Sequence, residues 1–212
     1  MSGPDHRCQG APKSPAVTLS QLAAEALRPL RRVRQIRQFT DVPLTDDQLD
    51  AIVDVGRWSG SSKNTQPWRF IVIRDVATIA RIHVLGVPST RSLATATAVI
   101  AIVVPSDTER PVTYAFDEGR AAERLLIAAN LLGLAGAIAW LTPPVRVEAG
   151  QLLGLPADRL LRTVLALGHP SPEALEPKSP GVPARLPRNE TVFEERWPAS
   201  ESVGDDPALR PR

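Results

Sequence analysis

The sequence predicts an α+β domain. Strand-like runs are few, helical stretches alternate with them unevenly, and neither an internal repeat nor a Gly/Ser linker divides the chain. Its 212 residues suffice for one domain with a substantial core.

Residues 1–17 are polar and Pro-rich without periodicity, and residues 198–212 are alike. Both read as disordered tails around a domain spanning 18–197. A first helix is expected from about Thr18 into the thirties. Leu19, Leu22, Ala23, Ala26, Leu27, Leu30 and Val33 repeat there at helical spacing and should face a core. Thr45-x-x-Gln48 is a capping-box pattern, and Leu49, Ile52 and Val53 extend it into a second amphipathic helix. The apolar run 68–73 predicts a strand, 76–83 a short helix, and 98–104 ("AVIAIVV") a second strand. The longest helix is expected over 117–132, stopped at Gly133 and Gly136. "AIAWL" reads as a third strand. Pro144 marks the first turn of a helix ending before Pro156, and "RTVLALG" from Arg162 is the fourth strand. Residues 171–197, rich in prolines and charges, read as an extended arm. Trp68 and Trp140 are expected to anchor the core.

A formal net charge of only +2 argues against a chain-wide role on nucleic acid or a membrane surface. The single cysteine, Cys8, excludes an internal disulfide framework, and the isolated His6, His83 and His169 show no ligand spacing. No metal site is expected. With no apolar leader in residues 1–16 and no run long enough to span a membrane, a cytoplasmic location is expected.

"RPLRRVRQIRQF" gathers Arg28, Arg31, Arg32, Arg34 and Arg37. A basic cluster is commonly a solvated face. Projected at ~100° per residue, Arg28, Arg31 and Arg32 fall together within about 60°, whereas Arg34 and Arg37 continue the apolar face if the helix runs that far. An arginine aimed at a core needs an anion. Arg34 and Arg37 are therefore candidates for holding a phosphate or carboxylate. Structural salt bridges to Asp41 or Glu118 are the alternative.

"SGSSKNTQPWRFIVI", residues 59–73, sets Ser61, Ser62, Asn64 and Gln66 ahead of a buried strand. Their hydroxyl and amide groups both donate and accept, which suits the mixed edges of a polar heterocycle. Turn chemistry is the plainer reading, yet four such groups in six residues exceed what a turn requires.

"RQIRQFTDVPLTDDQLDAIVDVGRWSGSSKNTQPWRFIVIRD" closely resembles the N-terminal half of the FMN-dependent nitroreductase family, the NAD(P)H:flavin oxidoreductase-like proteins. That family's pattern is an Arg-rich stretch ending R-x-F, then Pro and a helix, then P-S-x-x-N-x-Q-P-W and a strand. The resemblance continues through "EGRAAERLLIAANLLGLAG", "LGLP", "VLALGHP" and "ARLP", covering roughly residues 19–197.

The resemblance implies a nitroreductase-like fold with a central, mostly antiparallel sheet flanked by helices. It implies an intertwined homodimer with C-terminal arm exchange and FMN in each of two interface clefts. Arg34, Gln35 and Arg37 would grip the ribityl phosphate together with Arg185. Gly60, Ser61, Ser62 and Asn64 would reach the flavin of the other subunit, and backbone amides at Leu141 and Thr142 would approach flavin N5. No side chain is expected to be catalytic, because FMN carries the chemistry and no triad or paired-carboxylate site is visible. The implied reaction moves hydride from NAD(P)H to a nitroaromatic, quinone or other acceptor. Ping-pong order is expected, since no second nucleotide motif is present. The alternative is a flavin-binding storage or sensing protein without substantial turnover. A nucleic-acid role is disfavoured by the lack of interleaved aromatics. The family often has Arg where this chain has Val33, Ser where it has Gln35, and Pro where it has Gly60; Pro183 stands where Lys can precede the final Arg.

Overall fold

The computed structural model describes residues 19–106, 109–176 and 185–197. The chain forms two compact units, one ending at Leu175 and the other beginning at Glu176.

The first unit is built on one sheet. Strands β1 (Arg69–Ile73), β2 (Ala98–Pro105), β3 (Ala135–Trp140) and β4 (Arg159–Gly168) lie in the order β1-β2-β4-β3, every pairing antiparallel. The unbroken apolar run of β2 has a simple cause: both its faces are covered. Val99, Ala101 and Val103 pack with Ile79, Ile82 and Ala149, whereas Ala98, Ile100 and Ile102 pack with Leu49, Ile52 and Leu125. Helices α3 (Val76–Gly86) and α5 (Pro143–Leu152) thus cover one face. Helices α2 (Asp46–Arg57) and α4 (Pro111–Leu131) cover the other.

Local chemistry sets the helix ends. Gln48 N–H donates to Thr45 Oγ1 at 3.2 Å and Thr45 N–H donates to Gln48 Oε1 at 2.9 Å, so the capping box forms. Helix α4 begins earlier than expected because Pro111 occupies its first turn, where its missing N–H costs nothing. Gly133, with φ 73°, ends that helix in the left-handed conformation that favours glycine.

Three expectations change. Helix α1 (Leu19–Arg32) stops before Arg34, so the helical projection of Arg34 and Arg37 does not apply. The chain straightens there to run beside β3. The apolar side of α1 does not face the core: Leu22, Leu27 and Leu30 stay 52%, 51% and 49% exposed. Trp140 is no core anchor. It ends the edge strand β3, is 52% exposed, and stands beside the guanidinium groups of Arg146 and Arg162; Trp68 is buried as expected.

Residues 172–175 of the expected arm form a short helix, α6 (Pro172–Leu175), at the end of the first unit. In the second unit, a 3₁₀ turn spans Arg188–Glu190, and the Phe193 and Trp197 rings meet edge-on at 4.8 Å. Both expected tails and Pro183 lie outside the described residues.

Candidate functional site

One group of expected site residues lies along the free edge of β3. An edge strand leaves main-chain groups unpaired. Here the chain leaving α1 satisfies them: Ile36 N–H donates to Gly136 O at 2.9 Å, and Ile138 N–H donates to Gln35 Oε1 at 3.0 Å. The Gln35 side chain thereby replaces a strand carbonyl, and only its amide nitrogen remains for a ligand. Farther on, Thr40 N–H donates to His169 O at 2.9 Å, and Phe39 packs against Gly168, where a Cβ would lie 2.6 Å from Phe39 Cβ.

The two arginines of this segment are exposed. Arg34 Nη2 donates to the carbonyls of Ala174 and Leu175 at 3.2 and 3.3 Å, bonding the end of α6. The salt-bridge alternative is not realised. Glu118 pairs with Arg162, and neither Arg34 nor Arg37 forms an ion pair with a described residue. Both keep guanidinium donors for an external anion.

At the far end of β3, Leu141 is buried. Its N–H donates to Arg162 O at 2.8 Å, and its carbonyl accepts from Arg146 Nε at 2.7 Å. The Leu141 amide, expected to approach a flavin, is therefore committed inside the protein. Thr142 is exposed at the start of α5 with its hydroxyl making no cap bond, and is the residue of the two that a ligand can reach.

The second group is the loop 59–66. Lys63, Asn64 and Gln66 have φ of 50°, 54° and 47°, all left-handed and none glycine. Such backbone costs roughly 1–2 kcal/mol per residue, least for Asn. Specific bonds hold it. Ser62 N–H donates to both carboxylate oxygens of Asp117, at 3.2 and 3.1 Å, and Asp117 is 1% exposed. Gln66 N–H donates to Ser61 Oγ at 2.9 Å, and Gln66 Nε2 donates to Asn64 Oδ1 at 3.1 Å. Arg124 Nη1 donates to Trp58 O at 3.0 Å. Arg120 lies over Gly60 so closely that a Cβ there would collide with its guanidinium. Ser61 Oγ and Asn64 Oδ1 thus serve the loop itself, leaving the Ser62 hydroxyl and the Asn64 amide nitrogen outward.

Beside this loop lies a cleft of about 780 Å³, lined in part by Trp58, Ser59, Gly60, Asn64, Gln66 and Trp68. That volume is within the range of small-molecule sites. Ser59 Oγ is buried there without a partner among the described residues. None of Arg34, Gln35, Arg37, Leu141 and Thr142 lines the cleft. Arg185 is exposed in the second unit.

Asp117, Arg120 and Arg124 escaped the sequence reading. Their signal was present: Asp117 and Glu118 sit in the same helical stripe as Ala121, Ala122, Leu125 and Leu126, so two acids lie in a buried face. Burial pushes the Glu118 carboxyl above its ordinary range, against the opposing pull of Thr163, Arg162 and Arg146. Among the described residues, no cluster of His, Cys, Asp or Glu could hold a metal ion, and no helix is long and apolar enough to cross a membrane.

A family model described as the nitroreductase family matches residues 30–85. A protein of Archaeoglobus fulgidus named as an NADH dehydrogenase/NAD(P)H nitroreductase is 28% identical over 154 residues, covering 70% of this chain and 87% of its own length. The NADPH-flavin oxidoreductase of Vibrio harveyi is 29% identical over 181 residues, covering 77% of this chain and 71% of its own. The solved FMN-dependent nitroreductase of Clostridium difficile superposes with a TM-score of 0.69 at 21% identity, covering 80% of this chain and 98% of that one.

Proposed function

The chain belongs to the nitroreductase family, and from that premise we propose that it is an FMN-dependent oxidoreductase taking hydride from NAD(P)H and reducing a nitroaromatic, quinone or other small acceptor. The observation that carries the reading is the loop 59–66. Three left-handed residues are held in place by bonds that leave Ser62 exposed and Asn64 in the lining of a cleft of ligand size. Strained backbone of this kind clusters at ligand sites.

The residues fit FMN. Arg34 and Arg37 offer charge-assisted donors to its phosphate. The Gln35 amide nitrogen lies between them in sequence. Ser62 and Asn64 offer donors and acceptors to the rim of the heterocycle, and Thr142 a hydroxyl near the end of β3. When bound, FMN supplies the hydride-accepting chemistry; the chain binds, orients and shields it.

The phosphate-gripping edge and the loop do not share one cleft within a single chain, which supports a homodimer in which each subunit's loop completes the other's site. Exposed Leu22, Leu27 and Leu30 of α1, with Val112 and Phe116 of α4, offer apolar surface for that contact. Donor and acceptor visiting one open cleft in turn give ping-pong kinetics. A cytoplasmic location accords with the single cysteine.

The test begins with the visible spectrum of the purified protein, with flavin extracted and identified. FMN with NAD(P)H-dependent turnover and parallel double-reciprocal plots is the expected result. FAD, or no flavin, overturns the cofactor, and tight FMN without turnover means a storage or sensing role. A folded monomer in sedimentation that still holds FMN overturns the dimer.

A further inference from the structure

Beneath the end of β3 lies a buried ion pair that neither half of the site uses. The Glu118 side chain is 2% exposed and that of Arg162 11%. Arg162 Nε lies 3.2 Å from Glu118 Oε2, off the direction of a straight hydrogen bond, so the contact is mainly electrostatic. A buried pair of this sort is seldom the most stabilising choice for its volume. Its surroundings suggest another role.

Two like charges stand against Trp140 and Leu141. The Arg146 and Arg162 guanidinium groups lie 5.3 and 5.6 Å from the centre of the Trp140 ring. Arg146 Nε holds the Leu141 carbonyl, and the Arg162 carbonyl holds the Leu141 N–H. Burial and the neighbouring Arg162 both act against the charge on Arg146, and Glu118 supports it. Glu118 is the anion that lets the two cations converge on one corner of the chain.

We propose that Glu118 is a positioning residue: through Arg162 and Arg146 it fixes the main chain at Leu141 and turns Thr142 toward the ligand. The consequence at the cofactor rests on the flavin reading; the positional claim stands on this chain alone. The charged groups acting on Glu118 are Arg162 of β4 and Arg146 of α5, with neutral Thr163 beside them. Glu118 is the one carboxyl among these groups, so a step in exchange as pH falls is assigned to it.

The test compares the full-length protein as purified with Glu118→Gln and Arg146→Lys by hydrogen–deuterium exchange. FMN affinity and flavin midpoint potential are measured alongside. In Glu118→Gln, exchange across residues 138–143 should rise about tenfold while the 59–66 loop stays unchanged. FMN binding should weaken roughly fivefold, with a shifted potential. Wild-type exchange at 138–143, corrected for intrinsic chemistry, should quicken as pH falls through the raised Glu118 pKa, and Glu118→Gln should lack that step. Arg146→Lys, at a partly exposed position, keeps the charge but loses the Nε contact, and should shift exchange in the same direction. Unchanged exchange in both variants overturns the proposal. Altered exchange with unaltered affinity and potential reduces the pair to a structural one and overturns it as well. If the wild type holds no flavin, the cofactor reading falls, and exchange alone decides the positional claim.

Discussion

Along the edge of β3, Ile36 and Ile138 are held by bonds in which three of the four atoms belong to the main chain, and the backbone is ordinary extended chain. In the loop 59–66, three residues sit left-handed; two main-chain bonds, Asn64 N–H to Ser61 O and Thr65 N–H to Ser62 O, help to hold them, and the others run to the side chains of Asp117, Ser61 and Asn64. The edge borrows its geometry mainly from the sheet, and Arg34 and Arg37 stay exposed and form no ion pair with a described residue. The loop makes its own geometry and commits much of its polar inventory to doing so. Replacing an edge side chain should therefore alter binding more than folding, and replacing a loop anchor should alter both.

The sharpest way to break this contrast is Asp117→Ala. It leaves the Ser62 N–H without its buried acceptor and should cost about 3 kcal/mol in urea unfolding, with FMN affinity falling in parallel. Loss of FMN binding at unchanged stability would place Asp117 with the edge type. Next comes Gly168→Ala, which drives a methyl group into the Phe39 ring beneath the edge segment. Overpacking there should cost about 2 kcal/mol in thermal unfolding, because Phe39 sits between the sheet and its own chain and has little room to yield. Arg37→Ala should weaken FMN binding by roughly 1.5–2 kcal/mol, read by fluorescence titration, and leave the melting temperature where it was. A drop in melting temperature of several degrees would show the edge arginines to be structural. The smallest effect is expected from Lys63→Gly. Relief of left-handed strain exceeds the added entropy of the unfolded chain, so stability should rise by about 0.5 kcal/mol. A loss would mean that the Lys63 side chain makes a contact worth more than its strain.

Local signals were readable in advance. The capping box at Thr45 and Gln48, the apolar run of β2, and the glycine stop after α4 depend on neighbours within a few residues, and each forms as its pattern suggests. The density of hydroxyl and amide groups in the loop was visible as well, and the structure uses part of it, at Ser61, Asn64 and Gln66, for bonds within the loop. What the sequence did not reveal depends on partners far along the chain. Nothing near Gln35 shows that its side chain spans 103 positions to cap Ile138, or near Leu141 that Arg162 already holds its amide. The helical projection that singled out Arg34 and Arg37 failed for a related reason. The helix ends where the free edge of β3 begins to offer hydrogen bonds, and that edge is assembled from residues a hundred positions away. Trp140 looked like core by composition, yet it lies where the edge strand ends and two arginines stand beside it.

The packing of Arg120 against Gly60 has a consequence for how sequences of this type can change. The two positions lie sixty residues apart, yet each bears on the other. Any larger residue at 60 must displace the Arg120 guanidinium, which is the far end of a flexible, half-exposed side chain and can swing toward solvent. What such a change alters is therefore less the packing than where a positive charge stands beside the loop. A library that randomises 60 together with 120 samples that charge along with the shape of the loop.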